Sequence, residues 1–425
     1  MLFWPTSFAK GCLTMNRRSP LLLGCFLALG LGLAGCGSGG SATPPAGSQA
    51  ALTPVIGTSG LALLTTANVP GLVIGGVFTY DIGAVDTTAN HYYLSDRTNK
   101  ALDIMNLSLY TFVQAKVGYA GQQASNSMSG PNGDTPIPNT DTVYTGDVES
   151  VKIVNAAGAT LIKNIVTGTD GFRTDEGCYD PDDHLMLFVN GESTPPYATF
   201  ISTTSQTIVS TISFSGAQFG AGEAGLDACV YDHNTKNFYV NNDGTTTNTF
   251  GELDVITAAS AVAGTPVVSA QYDEGTGAQG SGTNDCNPSG IALNPSNDAL
   301  VIACDTNAGN PQETLIMSAV TGAVLAAVTG VGGSDEAAYD PFLGRFYVAA
   351  RDMTATGISQ TGNTGATFTP VLGIISATAP YAFIANVPTG KGSHSVAVDP
   401  LNGFVYVPVP PTTSFIGGID VFEPK

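Results

Sequence analysis

The stretch Gly332-Gly333-Ser334-Asp335-Glu336-Ala337-Ala338-Tyr339-Asp340-Pro341 is followed, after a turn containing Gly344, by Arg345-Phe346-Tyr347-Val348-Ala349-Ala350-Arg351-Asp352. A half-apolar run ending in Asp-Pro, then a turn, then an aromatic and β-branched run predicts two antiparallel strands joined by a tight connection. The same sequence pattern begins again near residues 81, 134, 175, 227, 289 and 394. The chain is therefore a repeat with a period of roughly 35–60 residues.

Seven repeats with about four strand signals each predict a β-propeller. The first strand of each repeat ends at an Asp or Asn that suits a tight turn, namely Asp86, Asn139, Asp180, Asp232, Asn294, Asp340 and Asp399. Second and third strands follow in every repeat, and the fourth strands carry a weaker signal. The fold class expected is all-β, a seven-bladed propeller of four-stranded blades.

The seventh repeat ends at Lys425 before a fourth strand. Ala67-Asn68-Val69-Pro70 matches Ala385-Asn386-Val387-Pro388, where the sixth fourth strand leads into the last blade. Residues 61–69 are therefore predicted to complete the last blade, closing the ring with a strand from the N-terminal side. Closure removes open sheet edges. We expect residues 55–425 to form this single domain.

The first 35 residues read as a targeting segment. Arg17 and Arg18 precede an apolar run from Leu21 to Leu33, and Leu33-Ala34-Gly35-Cys36 follows. This resembles a bacterial lipobox, which makes Cys36 the lipidated first residue of the mature protein; an ordinary signal peptide with an incidental Cys is the alternative. Residues 36–54 then form a lipidated Cys and a flexible Gly/Ser/Ala/Pro tether. Gly37 and Ser38 favour anchoring in the outer membrane, facing either the periplasm or the surface.

The composition is strongly acidic, with a formal net charge of −20 and only 14 Lys and Arg. Such a surface argues against nucleic acid and anionic membrane surfaces as partners. The single Trp, Trp4, lies in the targeting segment, which argues against Trp-Asp repeat propellers. We expect a monomer that binds an unknown protein or small-molecule ligand and meets the membrane only through its lipid.

The motifs Tyr347-Val348 and Phe238-Tyr239-Val240-Asn241-Asn242, with the recurring Asp-Pro turns, resemble the YVTN family of bacterial β-propellers. That family is grouped at fold level with lactonase-like and cytochrome d1-type propellers. The resemblance covers roughly residues 60–425 and implies a fold rather than a reaction.

Five residues before each turn residue the repeats place a polar side chain. The positions are Asp81, Asp134, Asp175, Asp227, Ser289, Asp335 and His394, with Glu176 and Glu336 directly after two of them. In propellers this is where the innermost strand begins, at the mouth of the central channel. Crowded carboxylates must bind a cation, share protons or turn away. Oxygen ligands suit Ca²⁺ or Mg²⁺, with Asp175, Asp227 and Asp335 as candidate metal ligands. The alternative is that each Asp caps its own loop.

A second acidic set follows the second strands: Asp96, Asp147, Glu192, Asp243, Asp305 and Asp352. It is interpreted as a solvated loop rim. Arg97, Arg173 and Arg351 lie nearby in sequence, as partners for these acids or as a clamp for an anionic ligand.

Two functions are compatible with these residues. The first is an envelope-anchored binding module that uses its channel mouth and loop face; no serine hydrolase elbow, zinc protease motif or c-type haem motif is present. The alternative is a divalent-metal-dependent hydrolase resembling lactonase-type propellers, with His394 and Glu336 as candidate catalytic residues. The binding module is favoured.

Four cysteines follow residue 36, and an even number in an exported protein favours disulfides. Cys286 precedes the first strand of the fifth repeat and Cys304 ends its second strand, so antiparallel pairing brings them together. Cys178 and Cys229 lie on the innermost strands of adjacent repeats, and strand alternation could aim them at each other or apart.

Overall fold

The computed structural model describes residues 59–425 except 217, 220–224, 276–285 and 361–367. The predicted targeting segment and tether, including Cys36, lie outside the described residues. Within this part of the chain no helix is long and apolar enough to cross a membrane.

Seven four-stranded antiparallel sheets form the blades. The strands are β1 Leu61–Ala67; β2 Tyr80–Asp86, β3 His91–Asp96, β4 Ala101–Asn106 and β5 Phe112–Ala115; β6 Asp134–Ile137, β7 Thr142–Asp147, β8 Ser150–Asn155 and β9 Thr160–Val166; β10 Gly177–Asp180, β11 Leu185–Asn190, β12 Tyr197–Ser202 and β13 Thr207–Ser213; β14 Leu226–Asp232, β15 Asn237–Asn242, β16 Glu252–Thr257 and β17 Val268–Asp273. They continue as β18 Pro288–Asn294, β19 Ala299–Cys304, β20 Thr314–Ser318 and β21 Val324–Val328; β22 Ala337–Asp340, β23 Arg345–Ala350, β24 Val371–Ser376 and β25 Phe383–Pro388; and β26 Ala397–Val398, β27 Val405–Val409 and β28 Gly418–Pro424. The helices are a single-turn 3-10 helix at Asn126–Met128 and α1 at Ala258–Val262.

The last blade has the order β1-β28-β27-β26, so the strand from the N-terminal side is its outer strand. β1 runs antiparallel to β28, with Leu61 opposite Pro424 and Ala67 opposite Ile419. The Thr66 hydroxyl donates a hydrogen bond to the Asp420 carboxylate at 2.5 Å. The predicted fold class and ring closure are confirmed.

The core is divided among the interfaces between neighbouring blades. Consecutive residues of a strand point to opposite faces of the sheet. Phe346 accordingly packs towards blade five, whereas Tyr347 packs towards blade seven. Both side chains are fully buried. Each blade is thus buried on both faces, which explains why the second strands are continuous apolar runs rather than alternating ones.

The Asp and Asn turn residues act as expected in six blades. The Asp340 carboxylate accepts backbone N–H bonds from Phe342 at 2.8 Å and Leu343 at 3.2 Å, and the turn residues of the other five accept from the residue two positions on. Blade two differs, because Asn139 adopts a left-handed backbone with φ 62° and lies two residues beyond the strand.

The expected Cys286–Cys304 disulfide is present, and so is the Cys178–Cys229 disulfide that the sequence left open. A disulfide joins Cys286, two residues before β18, to Cys304 at the end of β19, with their Cα atoms 4.6 Å apart. Cys178 and Cys229 face each other across the interface of blades three and four, at 5.7 Å. Two disulfides are typical of an oxidising compartment and therefore of an exported protein.

Candidate functional site

The inner strands carry an irregularity where the polar residues were predicted. In blades one, four and five the pairing with the second strand skips register at this point, and Asp81, Asp227 and Ser289 lie inside the skipped segment. A β-bulge of this kind bends the strand and re-aims a side chain. The repeated polar position is therefore built into the backbone.

Blades three and six show the same device in hydrogen bonds. Asp175 N–H donates to the Val189 carbonyl at 2.8 Å, and Val189 N–H donates to the Glu176 carbonyl at 3.0 Å. In blade six, Asp335 N–H donates to the Ala349 carbonyl at 3.0 Å, and Ala349 N–H donates to the Glu336 carbonyl at 2.8 Å. Two residues thus oppose one, which explains how adjacent acids, Asp followed by Glu, can both occupy the channel region.

A cavity of about 660 Å³ opens at the mouth of the channel. It brings together seven of the nine predicted positions: Asp81, Asp175, Glu176, Asp227, Ser289, Asp335 and His394. Asp134 and Glu336 do not line it. Phe78, Tyr80, Ile82, Lys391 and Pro410 also line the cavity. They lie in strands and connecting loops without a repeated signal.

Arginines neutralise one side of the cavity. Arg97 is buried and donates to the Asp81 carboxylate at 2.6 Å. Arg173 lies 2.6 Å from the Asp175 carboxylate and 3.9 Å from that of Asp81. Burial alone would lower the pKa of Arg173, but these two carboxylates raise it, so the guanidinium stays charged. The sequence allowed these arginines to be either partners of the acids or a clamp for an anionic ligand. In the structure Arg97 and Arg173 are partners of the acids.

Arg351 has the same role on the other side. It forms an ion pair with Asp335, lies 3.4 Å from the Asp305 carboxylate, and its Nε lies 3.6 Å from that of Asp352. Burial still raises the pKa of Asp305 to about 7, although Arg351 opposes the shift. The Arg351 guanidinium therefore forms ion pairs with three carboxylates.

Blade four contributes carboxylates without such a partner. Among the described residues no hydrogen bond or ion pair is made by the carboxylate of Asp227 or by that of Asp243. Burial, followed by the charges of Asp175 and Asp335, raises the pKa of Asp227 well above its usual range. Burial and then Glu192 raise the pKa of Asp243 to about 6. Without a cation beside them, these two carboxyl groups therefore hold their protons more tightly than a carboxyl group in water does.

Below the mouth, glutamates from blades three and six meet. Glu336 is 7% exposed and interacts with the Glu176 carboxyl. Burial raises the pKa of both groups well above the usual range, and for Glu176 the next cause is Glu336 itself. Both carboxyl groups therefore hold their protons more tightly than a carboxyl group in water does. Burial and then the charge of Asp81 also raise the pKa of Asp134 well above its usual range.

His394 forms part of an aromatic wall. Its ring stacks on Tyr80 with centroids 4.4 Å apart and planes 3° from parallel. Nδ1–H donates to the Gly392 carbonyl at 2.7 Å, and burial lowers the pKa of the imidazole. The ring is therefore neutral near pH 7. Ser289, in contrast, ties blade five to blade six, with its hydroxyl 2.8 Å from the Asp335 carbonyl.

The second acidic set is not a solvated rim. Asp96 and Asp147 are buried, and Asp96 accepts a hydrogen bond from Asn99 N–H at 2.8 Å. Asp243 and Asp305 line the cavity. Only Glu192 has a substantially exposed side chain, at 40%. The interpretation was wrong because these acids either end a buried second strand, as Asp96 and Asp147 do, or line the cavity, as Asp243 and Asp305 do.

The described residues contain no group of three or more His, Cys, Asp or Glu arranged to hold a metal ion. Asp175 and Asp335 are instead paired with Arg173 and Arg351, which already supply positive charge. The Ca²⁺ or Mg²⁺ site on Asp175, Asp227 and Asp335 stays a prediction.

Comparison with known proteins shows the class. The chain is similar in structure to hydrazine synthase from Kuenenia stuttgartiensis, with a TM-score of 0.61 and 16% identity over 84% of this chain and 98% of that one. It is also similar to a chain of the mitotic checkpoint complex, with a TM-score of 0.57 and 10% identity over 92% of this chain and 98% of that one.

At these identities the likeness shows the fold alone. No family profile and no curated protein matches the sequence. The protein is a seven-bladed β-propeller with a charged cavity at the mouth of its channel.

Proposed function

We propose that this protein is a binding module: an exported, lipid-anchored propeller of the YVTN type that holds a ligand at the channel mouth. The observation that carries this proposal is the cavity of about 660 Å³, into which the repeated polar positions of several blades converge. Its size is within the range of small-molecule sites.

The described chain enters the propeller on the face opposite the cavity. There Arg345 donates to the Ser59 carbonyl at 2.6 Å, and Lys425 N–H donates to the Gly60 carbonyl at 2.9 Å. Ser59 and Gly60 therefore lie away from the mouth.

The test of binding is a thermal-shift screen of the mature protein against small polar compounds and isolated envelope proteins. Ile82→Trp fills the cavity, whereas Leu401→Trp places the same side chain on an exposed turn of the opposite face, where Leu401 is 70% exposed. A ligand of the mouth should stabilise the wild type and Leu401→Trp but not Ile82→Trp. Stabilisation of all three proteins alike would refute the mouth as the binding site.

Anchoring has a separate test. Cys36→Ser should abolish incorporation of labelled palmitate and release the protein from the membrane fraction. Unchanged fractionation and labelling would mean that Cys36 is not the lipidated residue.

The hydrolase alternative requires a bound cation, and the arginine partners of Asp175 and Asp335 give it no support. It predicts that Ca²⁺ raises the melting temperature and that chelator lowers it. We expect instead a change of less than about 1 °C between the two conditions, given typical unfolding entropies.

A further inference from the structure

We propose that the ligand of the channel mouth carries a primary amine or guanidinium group, held by Asp227 and Asp243 of blade four. This inference rests on the proposed binding function and specifies the chemistry of its ligand.

The charge count of the cavity favours a cation. Seven carboxyl groups line it, from Asp81, Asp175, Glu176, Asp227, Asp243, Asp305 and Asp335, against four basic groups, from Arg97, Arg173, Arg351 and Lys391. The three arginines are each engaged by a carboxylate. An anionic ligand would have to break one of these pairs and face the remaining acids, which costs more than it gains.

Asp227 and Asp243 are the carboxylates left for the ligand. The loop after β15 holds Asp243 against Gly225, two residues before Asp227: Asp243 N–H donates to the Gly225 carbonyl at 3.1 Å. A side chain at Gly225 would lie 2.9 Å from the Asp243 Oδ2 atom. The absence of a side chain at this position thus permits the close approach. Two acceptors without a donor match an ammonium or guanidinium group, which has several N–H donors and no acceptor.

Glu336, which lies behind the cavity lining, supplies a second sign of an absent donor. Glu336 is nine-tenths buried, and its Oε2 atom has no hydrogen-bond partner among the described residues. Its carboxyl meets Glu176, which lines the cavity. A buried oxygen of this kind ordinarily has a partner. A nitrogen cation beside Glu176 would offset the charge of this pair.

The body of the ligand is set by the opposite wall. Phe78, Tyr80, Ile82 and Pro410 line the cavity beside the His394 ring. Such a surface suits a hydrocarbon chain and attracts a cation through the aromatic faces. The wall therefore favours an organic amine or guanidine over a bare metal ion, which has no hydrocarbon to place against it.

The experiment is calorimetric titration of the mature protein with four probes: putrescine, agmatine, the neutral analogue 1,4-butanediol and the anion succinate. We expect one-to-one binding of putrescine or agmatine and none of the other two. This comparison needs no variant. Stronger binding of butanediol or succinate would overturn the amine assignment while leaving the binding function intact. The absence of binding by both amines would also overturn the amine assignment.

Variants test the position. Asp227→Asn and Asp243→Asn remove charge with little change of shape and should each weaken amine binding at least tenfold. Asp183→Asn is the matched control, because Asp183 is exposed on the opposite face. It should change the affinity less than twofold. Equal weakening by all three variants, or several amines bound per protein, would show general attraction to an acidic surface and refute the site.

Discussion

The closing strand β1 provides a sharp test of the ring. Leu61 and Leu63 lie two residues apart on this strand, but Leu61 is 4% exposed and Leu63 is 40% exposed. Leu61 packs with Tyr347 and Phe422 in the cluster between blades six and seven. Leu61→Ala should therefore destabilise the domain much more than Leu63→Ala.

The magnitude follows from burial. Replacing a buried Leu with Ala costs about 2–5 kcal/mol, whereas an exposed substitution usually stays within about 0.5 kcal/mol. A domain of roughly 365 residues unfolds with an entropy of about 0.8 kcal/mol/K near its melting temperature, so a loss of about 3 kcal/mol lowers that temperature by about 4 °C.

Differential scanning calorimetry of the two variants is the assay. Deleting residues 55–70 should have a far larger effect than deleting the tether, residues 37–54. Equal shifts for Leu61→Ala and Leu63→Ala, or a 55–70 deletion that melts with the intact chain, would refute closure by β1.

Three further predictions concern charge and cross-links. Arg173→Met should cost about 3–5 kcal/mol, because it leaves buried carboxylates unpaired; exposed Lys100→Met is the control in urea unfolding, and equal losses would contradict the prediction. The native state holds the proton of Asp305 more tightly than the unfolded chain does, since burial raises its pKa to about 7. Stability should therefore fall as pH rises from about 4 to 7, and Asp305→Asn should flatten melting temperature against pH; an unchanged slope would argue against this. Removing the Cys178–Cys229 bridge, which spans 51 residues, should cost about 4 kcal/mol, and removing Cys286–Cys304, which spans 18, about 3 kcal/mol. Denaturant titration of each double Ala variant measures the two losses, and the reverse order would contradict the loop-length argument.

The fold could be predicted from the sequence because each blade repeats its local signals. The Asp-Pro turns, the aromatic second strands and the matching segments at 67–70 and 385–388 each specify a backbone feature that depends on nearby residues. Alternation could not decide whether Cys178 faces Cys229, because the register between neighbouring blades is set by packing across their interface.

The candidate site was predictable in position but not in chemistry. The repeat located Asp81, Asp175 and Asp335 near the channel, yet their charge depends on arginines that approach from separate loops. Asp134 is outside the cavity lining because the bulge of blade two falls just before it: Asn132 N–H donates to the Gly146 carbonyl and Gly146 N–H donates to the Gly133 carbonyl, both at 2.9 Å. Contacts between residues that lie far apart in the chain produce no regular spacing that could be recognised in the sequence.

The pairing of Leu61 with Pro424 has a consequence for how the molecule is made. A chain that is synthesised or threaded N-terminus first delivers β1 at the start and its partner β28 only at the end. Until β28 is available, β1 has no partner strand and the ring of blades stays open. Ring closure therefore requires β28, and proteolysis within β28 would open the ring again.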